Sequence, residues 1–259
     1  MTGQLERLGV IAGLTYRSNF VGGRLWISAL FAALPPVLLG AFLAYGVTGS
    51  ALITDWGAIV ITLVLSVQIP LVTLIIGVGL FRNEIEDDTL PYLTLRTIAR
   101  PSIVIGKYLG GLAAALTFLI PSFVVALGVT VAGADGASFP SGYVTAGLAI
   151  LLFGTVAYLG VYLLMGLVTR SAFVLGLVYA FLWEFVLQNF PGHLPQVTVY
   201  YYLRTLGASL TTAGPIGSYA TTVGVAGAVG APLGVAVVAL LIASLVVNSV
   251  ETAPDRSDS

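Results

Sequence analysis

The sequence predicts an all-α integral membrane protein of about six transmembrane helices. Of its 259 residues, 58% are hydrophobic and only 8% are charged, and its mean hydropathy is +1.04. An average soluble domain carries about 25% charged residues, so this chain has too few to cover a soluble fold. Its apolar runs are continuous rather than alternating, which indicates membrane helices and not the strands of a membrane barrel.

Six apolar runs are long enough to cross the hydrocarbon core of a bilayer, which needs ~20 helical residues. They are Leu25–Tyr45, Ala58–Phe81, Ile103–Ala132, Tyr143–Val168, Ala172–Phe190 and Ala220–Val250. Within the sixth run, Pro232 is expected to separate a short half-helix from a main span, Leu233–Val250. The prolines inside the other spans are expected to bend them, with neighbouring helices binding the freed carbonyls. These prolines are Pro35, Pro36, Pro70 and Pro121.

The distribution of Lys and Arg predicts that both termini are cytoplasmic. Nine of the 10 basic residues fall on one side of a six-span layout, and only Arg204 falls on the other. Basic loops stay in the cytoplasm. The predicted organisation is a cytoplasmic amphipathic segment (1–24), a six-helix membrane domain (25–250) with an inner loop (82–102) and an outer loop (191–219), and a cytoplasmic tail (251–259).

The segment before the first span is expected to form a helix on the inner membrane surface. Leu5, Leu8, Ala12 and Tyr16 recur at helical spacing beside polar residues, which is typical of an amphipathic interfacial helix. Aromatic residues near the span ends are expected to anchor the protein at the membrane interfaces. They are Trp26, Trp56, Tyr200, Tyr201 and Tyr202.

The segment from Phe81 to Gly111, FRNEIEDDTLPYLTLRTIARPSIVIGKYLGG, concentrates four acids and four bases in a chain with few charges. Asn83 with Glu86 can form a capping box, and Asp88 or Thr89 can cap a second short helix. That helix has an apolar face suited to the bilayer edge or to a protein groove. From the residues alone, a solvated connector is an equally good interpretation.

This segment resembles the cytoplasmic loop of type-2 ABC transporter permeases, the membrane-spanning subunits of ATP-binding-cassette transporters. The matching residues are Glu84, Glu86, Thr89, Leu90, Tyr92, Leu93, Arg96, Ile98, Arg100, Gly106 and Lys107. The chain departs from that pattern at Asp88, Thr97 and Ala99. A weaker match is Phe181–Glu184, followed by a Leu-Pro pair and the tyrosines at 200–202.

The resemblance implies that 89–98 is a coupling helix that fits a cleft in a separate ATP-binding subunit. Its expected partner-binding residues are Glu84, Glu86, Asp88, Thr89, Leu90, Tyr92, Leu93, Arg96, Arg100 and Lys107. It further implies a second permease subunit, identical or related. The lipid bilayer is the other expected partner, and no nucleic acid is expected. ATP and Mg²⁺ would be bound by the partner chain.

The residues themselves argue against an enzyme. The chain has no cysteine and a single histidine, His193, so thiolate sites and the usual nucleophilic triads cannot be built. No G-x-x-x-x-G-K-[ST] motif occurs, and therefore no ATP site, cofactor or metal is expected in this chain.

Three polar residues in or beside the spans are candidates for a translocation path: Gln68, Glu184 and Gln188. An acid near the bilayer centre costs ~2.5–3.5 kcal/mol on insertion scales, so Glu184 should face protein or water. Its expected partner is Gln188 or Arg204, and its role is either to tie the outer loop to the fifth span or to contact substrate. Gly106 with Gly110, and Gly230 with Gly234, form two G-x-x-x-G pairs that are expected to pack helices.

The function predicted from these features is a permease subunit that exports a substrate with energy from a separate ATPase. Two alternatives stay open: a secondary transporter or channel working alone, and a non-catalytic membrane assembly factor. A solitary transporter would usually show internal repeats and midplane ionisable groups, and the sequence offers only Glu184. The substrate itself has no signature in the sequence.

Overall fold

The structure is a computed structural model that describes residues 2–86, 100–219 and 222–249. Every regular element in these ranges is a helix. The elements are α1 (Thr2–Ser18), α2 (Gly23–Ala44), α3 (Gly49–Ile59), a π-helical segment π1 (Val60–Gln68), α4 (Ile69–Glu86), α5 (Arg100–Ala132), α6 (Tyr143–Val168), α7 (Ala172–Val178), a second π-helical segment π2 (Tyr179–Val186), a 3₁₀ turn (Leu194–Val197), α8 (Val199–Leu210), α9 (Gly214–Gly217) and α10 (Val225–Ser249).

The all-α membrane architecture is confirmed. Within the described ranges, five helices are long and apolar enough to cross a membrane. They are Gly23–Ala44, Gly49–Phe81, Pro101–Ala132, Tyr143–Val168 and Val225–Val247. A sixth apolar helix, Ala172–Val186, is shorter.

Two of the predicted span boundaries need correction. The second span begins at Gly49 rather than Ala58, because α3, π1 and α4 form one uninterrupted helix. The last helix runs from Val225 to Ser249 through Pro232, so the predicted division at this proline is wrong. A proline removes one backbone donor and bends a helix, but the turns on either side can continue.

The helix Gly49–Phe81 is the centre of the bundle. In its most apolar window, 78% of the residues are buried, against 22% for the helices that begin at Gly23 and Val225. The outer helices therefore present most of their apolar side chains to the surroundings. In a soluble protein such a surface would be an aggregation site, whereas a bilayer or another subunit can cover it.

The shorter apolar helix, Ala172–Val186, and α8 lie end to end along α6. Gly176 lies against Tyr162, and Glu184 bonds to Tyr158. Farther along the chain, Leu203 lies against Gly154, and the backbone of Leu210 lies against Gly142 at the beginning of α6. Both helices therefore run antiparallel to α6, and residues 187–198 separate them. The segment 191–219, predicted as an outer loop, thus contains a helix that packs into the bundle.

The N-terminal helix α1 follows α5 lengthwise. An added Cβ on Gly106 would lie 2.9 Å from a Ile11 side-chain carbon, and one on Gly110 would lie 2.5 Å from the carbonyl oxygen of Ala12. Farther along, the rings of Phe20 and Phe118 stack with centroids 5.3 Å apart. The first G-x-x-x-G pair therefore does allow close helix packing. Whether α1 lies on a membrane surface stays a prediction.

The second G-x-x-x-G pair makes no such contact. An added Cβ on Gly230 or Gly234 would meet no atom within 4 Å. The expectation that this pair packs helices within the chain is wrong, because glycine spacing alone does not say which helix face meets a neighbour.

The predicted aromatic anchors include both exposed and buried side chains. Trp26 is 74% exposed, as an interfacial residue would be, whereas Trp56 is buried against the rings of Phe123 and Tyr143. Tyr200 and Tyr201 are also buried. These three residues are therefore parts of the protein core rather than lipid anchors.

Candidate functional site

The predicted coupling segment lies between α4 and α5. Most of its residues fall outside the described ranges: Asp88, Thr89, Leu90, Tyr92, Leu93 and Arg96. Glu84 and Glu86 belong to the last turn of α4 and Arg100 begins α5, but their side chains are likewise outside what the structure describes. The structure consequently places the two ends of the segment and not its interior.

Lys107 joins those two ends. Its side chain is buried, and its ammonium donates a hydrogen bond to the Leu80 carbonyl oxygen at a distance of 2.5 Å. The ammonium also lies 4.5 Å from the centroid of the Phe81 ring, within range of a cation–π interaction. Lys107 thus holds α5 against the C-terminal end of α4.

Gln68 binds the carbonyl that a proline bend leaves free. Pro36 has no N–H, so the carbonyl of Ala32, four residues earlier, has no intrahelical partner. The Gln68 amide nitrogen lies 3.2 Å from that oxygen and 2.8 Å from the Ser122 hydroxyl oxygen. The Ser122 hydroxyl donates to the same Ala32 oxygen. These contacts make Gln68 a structural link among α2, π1 and α5.

Replacing Gln68 by Leu and Ser122 by Ala together should lower the free energy of unfolding by about 1–3 kcal/mol, because a buried carbonyl then loses both donors. Unfolding in mixed micelles measures this loss. In a Pro36→Ala background, residue 36 regains an N–H that can bond to Ala32, so the same pair of changes should cost less. An equal cost in both backgrounds would contradict this assignment.

Glu184 is the most heavily bonded polar side chain of the site. It is 2% exposed and accepts four hydrogen bonds. Two come from the hydroxyls of Tyr158 (3.1 Å) and Tyr179 (2.5 Å). The other two come from the backbone N–H groups of Val199 (3.2 Å) and Tyr200 (2.9 Å). Neither predicted partner, Gln188 or Arg204, contacts this carboxyl group, and that expectation is wrong.

The carboxyl group of Glu184 caps α8. The first amides of any helix lack intrahelical acceptors, and here Glu184 accepts from the first two residues of α8. The Thr198 hydroxyl accepts from the next amide, that of Tyr201, at 3.2 Å. The positive end of the helix dipole also favours an acid at this position. Glu184 therefore fixes the start of α8, where the chain resumes its path along α6.

Both π-helical segments meet at this cap. Glu184 and Tyr179 both belong to π2, and the wider π turn brings side chains five positions apart together. The Tyr200 hydroxyl lies 3.3 Å from the carbonyl oxygen of Ile61 in π1. Single π turns inside helices are often found at functional sites, and here two of them pack around the start of one buried helix.

The other predicted members of the translocation set lie apart from this cap. Gln68 belongs to the Pro36 bend, and Gln188 follows the end of π2 with a half-buried side chain. Sequence reasoning missed Tyr158 and Tyr179 as partners of Glu184. Thr198 directly before an apolar run was an available cap signal, but it does not tell which side chain would fill the remaining positions.

Arg204 has a different environment from the one expected. Its guanidinium carbon lies 4.2 Å from the centroid of the Tyr219 ring, and its Nε has no hydrogen-bond partner. This contact joins α8 to the segment that precedes α10.

Comparison with protein-family models and with curated proteins finds no match for this chain.

Proposed function

We propose that this chain is the transmembrane permease subunit of an ATP-binding-cassette transporter. The observation that carries the proposal is the charged segment Phe81–Gly111, whose residues resemble the coupling loop of type-2 permeases. A separate ATPase subunit would bind this segment, supply the ATP and Mg²⁺ sites, and provide the energy. The chain itself would carry no catalytic group.

The connections at the two ends of the segment support this role. Lys107 bonds to the Leu80 carbonyl, which couples α5 to α4. One residue later, the Tyr108 hydroxyl donates to the Val156 carbonyl oxygen of α6 at 2.8 Å. A displacement of residues 87–99 by a partner would therefore be passed to three membrane helices and not to one.

The layout supports a cytoplasmic position for the segment. If α7, π2 and α8 together make one crossing, the chain crosses six times and both termini lie on the same side. The basic residues then favour the cytoplasm for that side, which is where an ATPase partner would be. The membrane is proposed to be the plasma membrane.

A second permease subunit, identical or related, would complete the transport path. The faces of α2 and π2 carry exposed apolar side chains such as Leu30, Val37, Leu182 and Trp183. A groove of about 470 Å³ lies beside π2 and has an almost wholly apolar lining. Apolar walls of this kind favour a hydrophobic or amphipathic substrate, and the proposed direction of transport is outward.

Co-purification with an ATPase tests the proposal. The charge reversals Glu86→Lys and Arg96→Glu should together weaken association with an ATP-binding-cassette ATPase that co-purifies with this chain by at least about tenfold, since opposed charges are costly in an interface. The matched control is Glu6→Lys with Arg17→Glu, which reverses one acid and one base at exposed positions of α1 and should leave association unchanged.

Two results would contradict the proposal. The first is a purified chain that binds no ATPase, or equal binding by the charge-reversed and control variants. The second is transport driven by an ion gradient in liposomes that contain only this chain, which would favour the solitary transporter.

A further inference from the structure

Arg204 is an arginine at the depth of the middle of the bundle. The neighbouring residue on α8, Leu203, lies against Gly154 of α6. Gly154 is about 11 residues, or ~16 Å, from the beginning of α6. In a bilayer centred on α6, this level falls inside the ~30 Å hydrocarbon core. Charged residues at such depths usually face the bundle interior or a water-filled cavity, and they mark substrate or ion pathways.

The guanidinium of Arg204 makes no hydrogen bond or ion pair with the residues that the structure describes. Its Nε is buried and has no hydrogen-bond partner, whereas its terminal nitrogens are unbonded without being buried. The side chain as a whole is partly exposed. A guanidinium has five N–H donors, so an arginine that served only to join two segments would be expected to bond through some of them. Arg204 therefore has donors to spare for a ligand.

The parts of the chain that carry further acids begin far from Arg204. On α4, Val78 lies against Gly166 of α6, which is about 18 Å farther along α6 than Gly154. From there α4 runs on to Glu86. The last helix, α10, is 25 residues long and begins beside α8, so the chain also leaves the described structure at the remote end before its C-terminal acids. No acid of the inner segment or the tail is thus positioned by these helices to neutralise Arg204.

Tyrosine rings lie beside this cation. The guanidinium carbon is 4.2 Å from the centroid of the Tyr219 ring, and that ring is 6.0 Å from the ring of Tyr201. The hydroxyl oxygens of Tyr201 and Thr222 are 2.6 Å apart, which holds this cluster together. Thr222 is exposed and Tyr219 is half-buried, so a ligand can approach. A ligand that suits these groups carries a negative charge and, next to it, an apolar body.

We propose that Arg204, together with Tyr201 and Tyr219, binds an organic anion in which a carboxylate or phosphate group is attached to an aromatic or aliphatic body. The anionic group would accept hydrogen bonds from the terminal nitrogens of Arg204, whose planar fork suits both groups. The body would lie against the tyrosine rings. That this anion is the transported substrate rests on the proposed permease function, whereas its binding does not.

The depth of the site favours an organic anion over two other sources of negative charge. Lipid headgroups lie outside the hydrocarbon core, so their phosphates do not reach the level of Gly154. An inorganic anion would lose its hydration at this depth and would bring no apolar surface to offset that cost.

Equilibrium dialysis of radiolabelled 4-phenylbutyrate tests the site in the full chain, reconstituted in phosphatidylcholine nanodiscs, with empty nanodiscs as the blank. We expect saturable binding at least about tenfold tighter than that of 4-phenylbutanol, which has the same ring and no charge; this is the usual effect of a hydrogen bond to a charged group. No saturable binding, or equal affinity for the two compounds, would overturn the proposal. A tenfold loss of affinity when chloride replaces gluconate in the buffer would overturn it in favour of an inorganic anion.

Variants assign the binding to Arg204. Arg204→Gln should weaken binding of 4-phenylbutyrate about tenfold and leave binding of 4-phenylbutanol unchanged. Arg204→Lys should recover most of the loss, because an ammonium also donates to an anion. The matched control is Arg17→Gln, which removes an exposed cation from α1 and should have no effect. Equal affinities of Arg204→Gln and Arg17→Gln would refute the assignment, and thermal unfolding of each variant verifies that it is folded.

The anion site and the permease function can fail separately. Binding of 4-phenylbutyrate by a chain that associates with no ATPase would support the site and contradict the permease function. Association with an ATPase and no binding of 4-phenylbutyrate would do the opposite. In the complex, stimulation of ATP hydrolysis by 4-phenylbutyrate that is lost in Arg204→Gln would support the substrate role, and equal stimulation in both complexes would overturn that role.

Discussion

Glu184→Leu is expected to lower the free energy of unfolding by about 3–5 kcal/mol, one of the two largest effects among the substitutions considered. Leucine is close to glutamate in size, so the change removes the acceptor and not the volume. The hydroxyls of Tyr158 and Tyr179 and the amides of Val199 and Tyr200 would all lose a partner. Each buried donor left unpaired costs about 1–3 kcal/mol, part of which relaxation recovers. Unfolding in mixed micelles measures the loss.

The control for this experiment is Gln188→Leu, one turn farther along the chain. Gln188 is half-buried and does not bond to Glu184, so its loss should cost little. Tyr158→Phe should cost about 1 kcal/mol in the native chain and close to nothing in the Glu184→Leu chain, because the bond is already absent there. Equal costs in the two chains would show that Tyr158 and Glu184 are not coupled.

The Glu184→Gln variant distinguishes a role of Glu184 in stability from a role in transport. Glutamine keeps one acceptor oxygen but turns an amide donor towards the N–H groups of α8, so it should destabilise less than leucine. All four bonds of Glu184 are internal to the protein, and on this basis we expect a folded Glu184→Gln complex to transport normally. A stable complex that no longer transports would instead assign Glu184 to the substrate path or to a gate.

The spans illustrate what a sequence can predict about such a fold. Tyr143–Val168 has the predicted boundaries, because a run of apolar residues with clear flanking breaks must be helical in a bilayer. The interruption after π2 could not be predicted in this way. Residues 187–198 look like an outer loop, and only the contacts of Leu203 and Glu184 with α6 show that the chain continues along the same helix.

The polar residues show the same limit. Hydrophobicity predicts that Glu184 and Gln68 must be bonded, since an unpaired polar group in hydrocarbon is costly. Hydrophobicity does not predict which group is the hydrogen-bond partner, because the partners come from distant helices or from the backbone. For Gln68, the principle that neighbours bind a carbonyl freed by proline was available from sequence, and the pairing with Ala32 was not.

Glycine patterns were informative in one place and misleading in another. Gly106 and Gly110 do allow α1 to approach α5, whereas Gly230 and Gly234 face open space. The tight contact between α4 and α6 uses Gly77 and Gly166, whose spacing along the chain carries no motif. A close approach of two helices depends on which faces meet, and this is decided by the tertiary fold.

Gly166→Ala is therefore expected to be strongly destabilising, because it adds a methyl group where α6 meets the backbone of α4. The new Cβ would lie 2.6 Å from the Val78 carbonyl oxygen and 2.9 Å from its Cα. Both are backbone atoms of α4 in the centre of the bundle, so no side chain can rotate away and the two helices must separate. Overpacking of this kind costs about 1–3 kcal/mol or more, and separation of α4 from α6 also loosens the neighbouring contact of Gly77 with Tyr162.

Gly234→Ala is the matched comparison, because it adds the same methyl group inside a helix where nothing lies within 4 Å. Alanine is favoured over glycine in helices by up to ~1 kcal/mol, and this gain applies equally at both positions. The difference in free energy of unfolding between the two variants therefore isolates the cost of the contact. We expect Gly234→Ala to be neutral or stabilising and Gly166→Ala to unfold at a lower denaturant concentration. If the two variants unfold together, α4 and α6 do not approach at Gly166, and the central packing described here is incorrect.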